Sequence, residues 1–73
     1  MAGEAQDTGT GDSTYDLVSV LYHCLQGAEM YEVYAADAED DEELSSFFED
    51  IAQQERDRAE RAKSLLAARL NRS

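Results

Sequence analysis

Two long segments of the chain carry apolar residues at intervals of three and four, the spacing that places side chains along one face of an α-helix. The stripe of the first segment is Leu17, Leu21, Cys24, Ala28, Tyr31, Ala35 and Ala38. The stripe of the second is Leu44, Phe48, Ile51, Glu55, Arg58 or Ala59, Ala62, Leu65 or Leu66, and Arg69 or Leu70. No segment shows the alternation of a half-buried strand. We therefore predict an all-α protein with helices over residues 14–38 and 42–70.

An acidic run, AEDDEE at residues 38–43, separates the two stripes and contains neither glycine nor proline. Repulsion among these acids disfavours one straight helix through the run, and Asp40 with Glu43 has the spacing of a capping box that starts a new helix. We predict a turn over residues 39–41 and an antiparallel helical hairpin. A single continuous helix in a long coiled coil is the alternative, because the run lacks helix breakers.

The first helix is apolar over more of its surface than one neighbouring helix can cover. A second apolar line, Tyr15, Val18, Tyr22, Leu25 and Val33, flanks its main stripe. Gly27 lies in mid-helix, where glycine often lets two helices approach closely. A chain of 73 residues also buries too little surface to be very stable alone. We predict that two hairpins, or more, assemble into a four-helix bundle.

Charge is distributed unevenly along the chain. The formal net charge is −11, from 17 acidic and 6 basic residues, which argues against nucleic acid or an anionic membrane as a partner. All six bases follow Glu55, namely Arg56, Arg58, Arg61, Lys63, Arg69 and Arg72. Acids at the start and bases at the end of a helix suit the helix dipole, although a basic docking surface for a protein partner is an alternative.

The composition also predicts where the protein resides. Residues 1–12 are rich in glycine and poor in apolar residues, so we expect a disordered acidic tail before the hairpin domain of residues 13–73. The single cysteine, Cys24, cannot form an internal disulfide, which favours a reducing compartment. No apolar run approaches the roughly 20 residues of a membrane span. We expect a cytoplasmic protein that is not attached to a membrane.

Glu55 is the one carboxylate in the stripe of the second helix, and burying an acid is costly unless it is paired or bound to metal. Arg58 lies one helical turn further on, so we predict a buried ion pair between them. Folding the hairpin about residues 40 and 41 places residue i opposite residue 81 minus i. This register brings Cys24, which we expect to be a buried thiol, beside Glu55 and Arg58, with His23 next to it.

These residues resemble one half of a rubrerythrin-type ferritin-like bundle, in which a helix ending in Y-x-x-Y-A is followed by a turn, by E-L-x-x-x-F and by A-x-x-E-x-x-H-A. The matching residues are Tyr31, Tyr34, Ala35, Ala38, Glu43, Leu44, Phe48, Ala52, Glu55 and Ala59. The resemblance covers residues 17–66. It implies a two-helix protomer, as in encapsulated ferritins, that pairs into a ferritin-like four-helix bundle with metal at the interface.

The resemblance also implies where metal ligands would lie. Glu55 matches the second-helix glutamate of the family, whereas Arg58 replaces the histidine and Cys24 replaces the first-helix glutamate. A guanidinium cannot ligate iron and repels it. We therefore predict an oligomeric structural or interaction module without a working di-iron centre, without a cofactor and without catalytic residues.

Two other functions are kept open. The first is an iron-binding or ferroxidase-type protein, in which metal lies at the dimer interface between Glu55, Glu29 or Glu32, and His23. The second is a haem or thiol redox site at His23 and Cys24. A lone histidine on a helix is more often an exposed or hydrogen-bonded residue. Glu29 and Glu32 also suit a solvated polar edge.

Overall fold

The computed structural model describes residues 13–72, which form two α-helices and, within that range, no strand. Helix α1 spans Ser13–Asp37 and helix α2 spans Glu42–Arg72. Helix α1 thus begins and ends one residue before the predicted bounds, and α2 extends past residue 70. The predicted tail over residues 1–12 lies outside the described residues, as does Ser73. Neither of the two helices is long and apolar enough to cross a membrane.

The two helices pack against each other in opposite directions. Gly27 lies against Glu55, Tyr34 against Phe48, and Ala35 against Ser45. Each of these pairs is within one residue of the register in which residue i opposes 81 minus i. The helical hairpin is therefore confirmed, and the alternative of one continuous helix is wrong.

A short turn over residues 38–41 joins the helices. Helix α1 ends in tightened turns, in which the amide of Ala38 donates to the carbonyls of Tyr34 and Ala35 at 3.1 and 3.2 Å. Asp41 then caps α2, since its Oδ1 accepts a hydrogen bond from the amide of Leu44 at 3.2 Å.

The predicted capping box of Asp40 and Glu43 is wrong by one residue. The third residue of α2 is Leu44, whose apolar side chain cannot return a hydrogen bond to the cap. Asp41 therefore accepts a hydrogen bond from the Leu44 amide, but the Leu44 side chain does not return one to the backbone of Asp41.

Small side chains form the buried contact between the helices. Within the part of the chain that the structure describes, the buried residues are Cys24, Ala28, Ala35, Ala52, Ala59 and Ala62, here called the alanine seam. No large side chain among the described residues is fully buried. Leucine and aromatic side chains lie beside the seam rather than in it, so the core of the single hairpin is thin.

Candidate functional site

Glu55 and Arg58 form an ion pair on α2. Arg58 Nη1 lies 3.0 Å from Glu55 Oε1, as the spacing of three residues predicts. The side chain of Glu55 is 22% exposed, but that of Arg58 is 54% exposed. The expectation that the pair is buried is therefore wrong for Arg58 in the single chain, because its side chain stays largely in solvent while its guanidinium reaches Glu55 and Cys24.

Cys24 lies in the alanine seam directly beside this pair. Burial raises the pKa of the Cys24 thiol, and a hydrogen bond to the Glu55 carboxylate raises it further, whereas Arg58 acts in the opposite direction. The hydrogen bond to Cys24 and the charge of Glu55 in turn raise the pKa of Arg58. The arrangement therefore holds a protonated thiol and a charged guanidinium, neither of which is a metal ligand or a nucleophile.

His23 does not join this cluster. Consecutive helical residues point about 100° apart, so Cys24 faces α2 while His23 faces outward. His23 is exposed; its Nδ1 lies 3.5 Å from Ser19 Oγ, and its ring meets the edge of Tyr22 at 5.4 Å between centroids. A haem or redox site that joins His23 to the thiol is not assembled within one chain.

Glu32 pairs with Arg56 across the two helices, a contact that the sequence pattern did not predict. The Arg56 guanidinium also donates a hydrogen bond to Gln53, from Arg56 Nη2 to Gln53 Oε1 at 3.2 Å. In the antiparallel register, Glu32 lies opposite residue 49 rather than opposite Arg56. The long side chain of Arg56 reaches along α2 to make the contact. Glu29 lies beyond Glu32 on the exposed surface, beside Tyr22.

The two ion pairs lie on opposite flanks of the alanine seam. Glu55 and Arg56 are consecutive and so point about 100° apart on α2. On α1, Glu55 meets Gly27 whereas Arg56 meets Glu32. The flank of Glu32 is an open groove of about 530 Å³ whose charged lining residues are Glu32, Glu39, Glu49 and Arg56. We call it the acidic flank.

The other flank is apolar. Its rings form a chain of edge contacts: Tyr31 to Tyr34 at 5.5 Å, Tyr34 to Phe48 at 5.5 Å, and Phe48 to Phe47 at 5.7 Å between centroids. Leu44 lines a cleft of about 410 Å³ together with Tyr34 and Phe48, and the rim of this cleft carries Asp37, Asp40 and Asp41. We call Tyr31, Tyr34, Leu44, Phe47 and Phe48 the apolar flank. Glu55 follows Phe48 by seven residues and so continues the same face.

This geometry separates the proposed iron ligands. Among the described residues, no three His, Cys, Asp or Glu side chains come together as a metal site. Glu55 is engaged by Arg58, and Glu32 is engaged by Arg56 on the opposite flank. A di-iron centre needs several carboxylates and imidazoles around two metals. The residues of one hairpin do not fit that group.

Comparison of the chain with protein-family models, with curated proteins and with solved structures found no match. The resemblance to the rubrerythrin-type ferritin-like family therefore stays a prediction that rests on the residues quoted for it. The functional interpretation of the chain depends on its own geometry.

Proposed function

We propose that this protein is a self-associating helical hairpin, a structural or interaction module that pairs into a four-helix bundle through its apolar flank. The observation that carries the proposal is that small side chains are buried between the helices, whereas large apolar side chains are exposed. Among the described residues, Cys24 and five alanines are buried, whereas eleven large hydrophobic side chains are exposed. They are Tyr15, Val18, Val20, Tyr22, Leu25, Met30, Val33, Tyr34, Leu44, Phe47 and Leu70.

The apolar flank is the surface that supports pairing best. Phe47 is 56% exposed and Leu44 is 42% exposed. Both lie beside the aromatic ring of Phe48, so they form part of a continuous apolar surface. Fully burying one such side chain contributes about 1.5–3 kcal/mol. Contiguous exposed apolar surface of this kind marks interaction sites in proteins.

The proposal is for a module without a di-iron centre, and the donor chemistry supports this part. Arg58 stands where the resembling family has a histidine ligand, and its guanidinium pairs with Oε1 of Glu55. The ferritin-like relationship belongs to the same proposal, since a protomer of two helices requires a second copy to complete the bundle.

Size-exclusion chromatography with light scattering tests the proposal, using two variants matched in exposure. Phe47→Lys places a charge on the apolar flank, while Val33→Lys places one on the outer face of α1, where Val33 is 58% exposed. We expect a dimer or larger species for the unmodified protein and for Val33→Lys, and a monomer for Phe47→Lys.

Three results would contradict the proposal. A monomeric unmodified protein would remove self-association, and dissociation by Val33→Lys alone would move the interface to the outer face of α1. Iron near one equivalent per chain, measured by elemental mass spectrometry on untagged protein, would show that assembly creates a metal site.

A further inference from the structure

The two ends of the hairpin carry opposite charge. The turn end holds Asp37, Glu39, Asp40, Asp41, Glu42 and Glu43, all of them exposed. No lysine or arginine precedes Arg56 in the sequence, so nothing at this end of either helix neutralises them. Negative charge is therefore concentrated at the turn end of the hairpin.

The other end of the described hairpin is basic. Helix α2 carries Arg61, Lys63 and Arg69 there, and no acid follows Glu60 in the sequence. Lys63 Nζ lies 3.2 Å from Glu60 Oε2, but both side chains are exposed. An exposed ion pair of this kind contributes little free energy. From α1, Asp16 is the described acid near this end; the acids of residues 1–12 precede the described range.

Two closed arrangements can bring two apolar flanks together around a two-fold axis. With the axis along the bundle, both turns lie at the same end, and twelve acids crowd together. With the axis across the bundle, the turns lie at opposite ends, and each acidic turn meets a basic end. Like charges at close range are repulsive, so electrostatics separates the two arrangements.

We infer that two copies of this chain pair through the apolar flank with their turns at opposite ends, so that the basic end of α2 in each copy lies against the acidic turn of the other. This inference rests on the proposed function, and it adds the orientation of the partner.

The cleft at the turn fits this occupant. Its floor is Tyr34, Leu44 and Phe48, and its rim is three aspartates. The end of α2 supplies the complementary pattern, since Leu66 lies three residues before Arg69 on the same face and both are partly exposed. An apolar side chain with an adjacent guanidinium matches an apolar floor with an acidic rim.

Pulsed electron paramagnetic resonance measures the orientation directly. A spin label is attached at Asp40→Cys in a Cys24→Ala background, in which alanine matches the rest of the seam and no second thiol reacts. Helix α2 has 31 residues and is about 46 Å long at about 1.5 Å per residue. Turns at opposite ends therefore give a label-to-label distance of roughly 40–50 Å.

A second label, at Asn71→Cys, is the matched control at the other end of α2. Alone it gives the same long distance, and mixed with the Asp40→Cys chain it adds a short one. A short distance, below about 25 Å, for either label alone would overturn the inference while leaving the dimer, since helices of one bundle lie about 8–10 Å apart.

Light scattering on each labelled protein shows whether the dimer is retained, so that the measured distances refer to the assembled species. A monomer under all conditions removes the proposed function as well, so the two failures are distinct.

Discussion

Gly27 lies in the middle of α1, yet no tight backbone contact requires it. A Cβ atom at this position would lie 3.6 Å from Glu55 Cδ and 3.7 Å from Glu55 Cγ, which is ordinary van der Waals contact. Glycine in a helix interior is destabilising by roughly 0.5–1 kcal/mol relative to alanine. We expect Gly27→Ala to raise the free energy of unfolding by about that amount, measured by urea titration.

The reverse exchange at an exposed position inside α2 is the control. Ala67→Gly should lower the free energy of unfolding by a similar amount, because it changes the same helix propensity away from Glu55. If Gly27→Ala destabilises the protein instead, the helices approach each other more closely at this point than the structure shows.

Cys24 makes stability depend on pH in the alkaline range. Burial raises the pKa of its thiol above the ordinary value of 9.0, so the folded chain holds the proton more tightly than the unfolded chain. The resulting stabilisation is complete below the ordinary pKa and is lost as pH rises through the folded pKa. We expect the free energy of unfolding to fall more steeply above about pH 9 than in Cys24→Ala.

The comparison of the two proteins isolates the thiol, because the two chains differ only at residue 24. Reaction of Cys24 with a thiol reagent at neutral pH should also be slow in the folded protein and fast in urea. Parallel pH profiles for the two proteins would show that the thiol is not desolvated in the folded chain.

At the scale of the helix, the start of α2 depends on one side chain. Asp41 accepts the amide of Leu44, so Asp41→Ala should lower the free energy of unfolding by about 1 kcal/mol. Asp40→Ala removes the same charge from the same turn without removing the cap. We expect it to change stability by less than about 0.5 kcal/mol in thermal or urea unfolding. Equal effects of the two variants would mean that charge, not the cap, controls this end.

The elements were predictable from the sequence, but their exact ends were not. Periodicity fixed which faces of the two segments meet, and this placed Cys24 beside Glu55 and Arg58. The cap was misplaced because Asp40 and Asp41 are both capping residues, and only hydrogen-bond geometry distinguishes them. The ion pair between Glu32 and Arg56 was not predicted, because the long side chain of Arg56 spans several register positions.

Burial was harder to predict than position, since it depends on how closely the helices approach. Leu44 and Phe48 share the stripe of α2, yet only the alanines of that helix are buried among the described residues. A stripe of mixed sizes predicts a buried face without saying which members touch the neighbouring helix. The apolar flank was therefore visible in the sequence only as an excess of apolar residues.

At the scale of the whole molecule, assembly should appear in thermal stability. A partner that binds only the folded chain raises the melting temperature with concentration. We expect a tenfold increase in protein concentration to raise the melting temperature by about 3–5 °C, measured by calorimetry or circular dichroism.

The Phe47→Lys variant is the control for this measurement, and its melting temperature should be lower and independent of concentration. A constant melting temperature in the unmodified protein would show that folding and assembly are not coupled.

The alanine seam also sets which sequence changes the chain can tolerate. A larger side chain at Ala52 or Ala59 has no space between the helices and must force them apart, so these positions accept little beyond glycine and serine. The positions of the apolar flank meet no such steric limit in a single hairpin. Saturation mutagenesis would therefore separate two kinds of restriction: restriction by size at the seam, which belongs to the protomer, and restriction by polarity at the flank, which only a partner imposes.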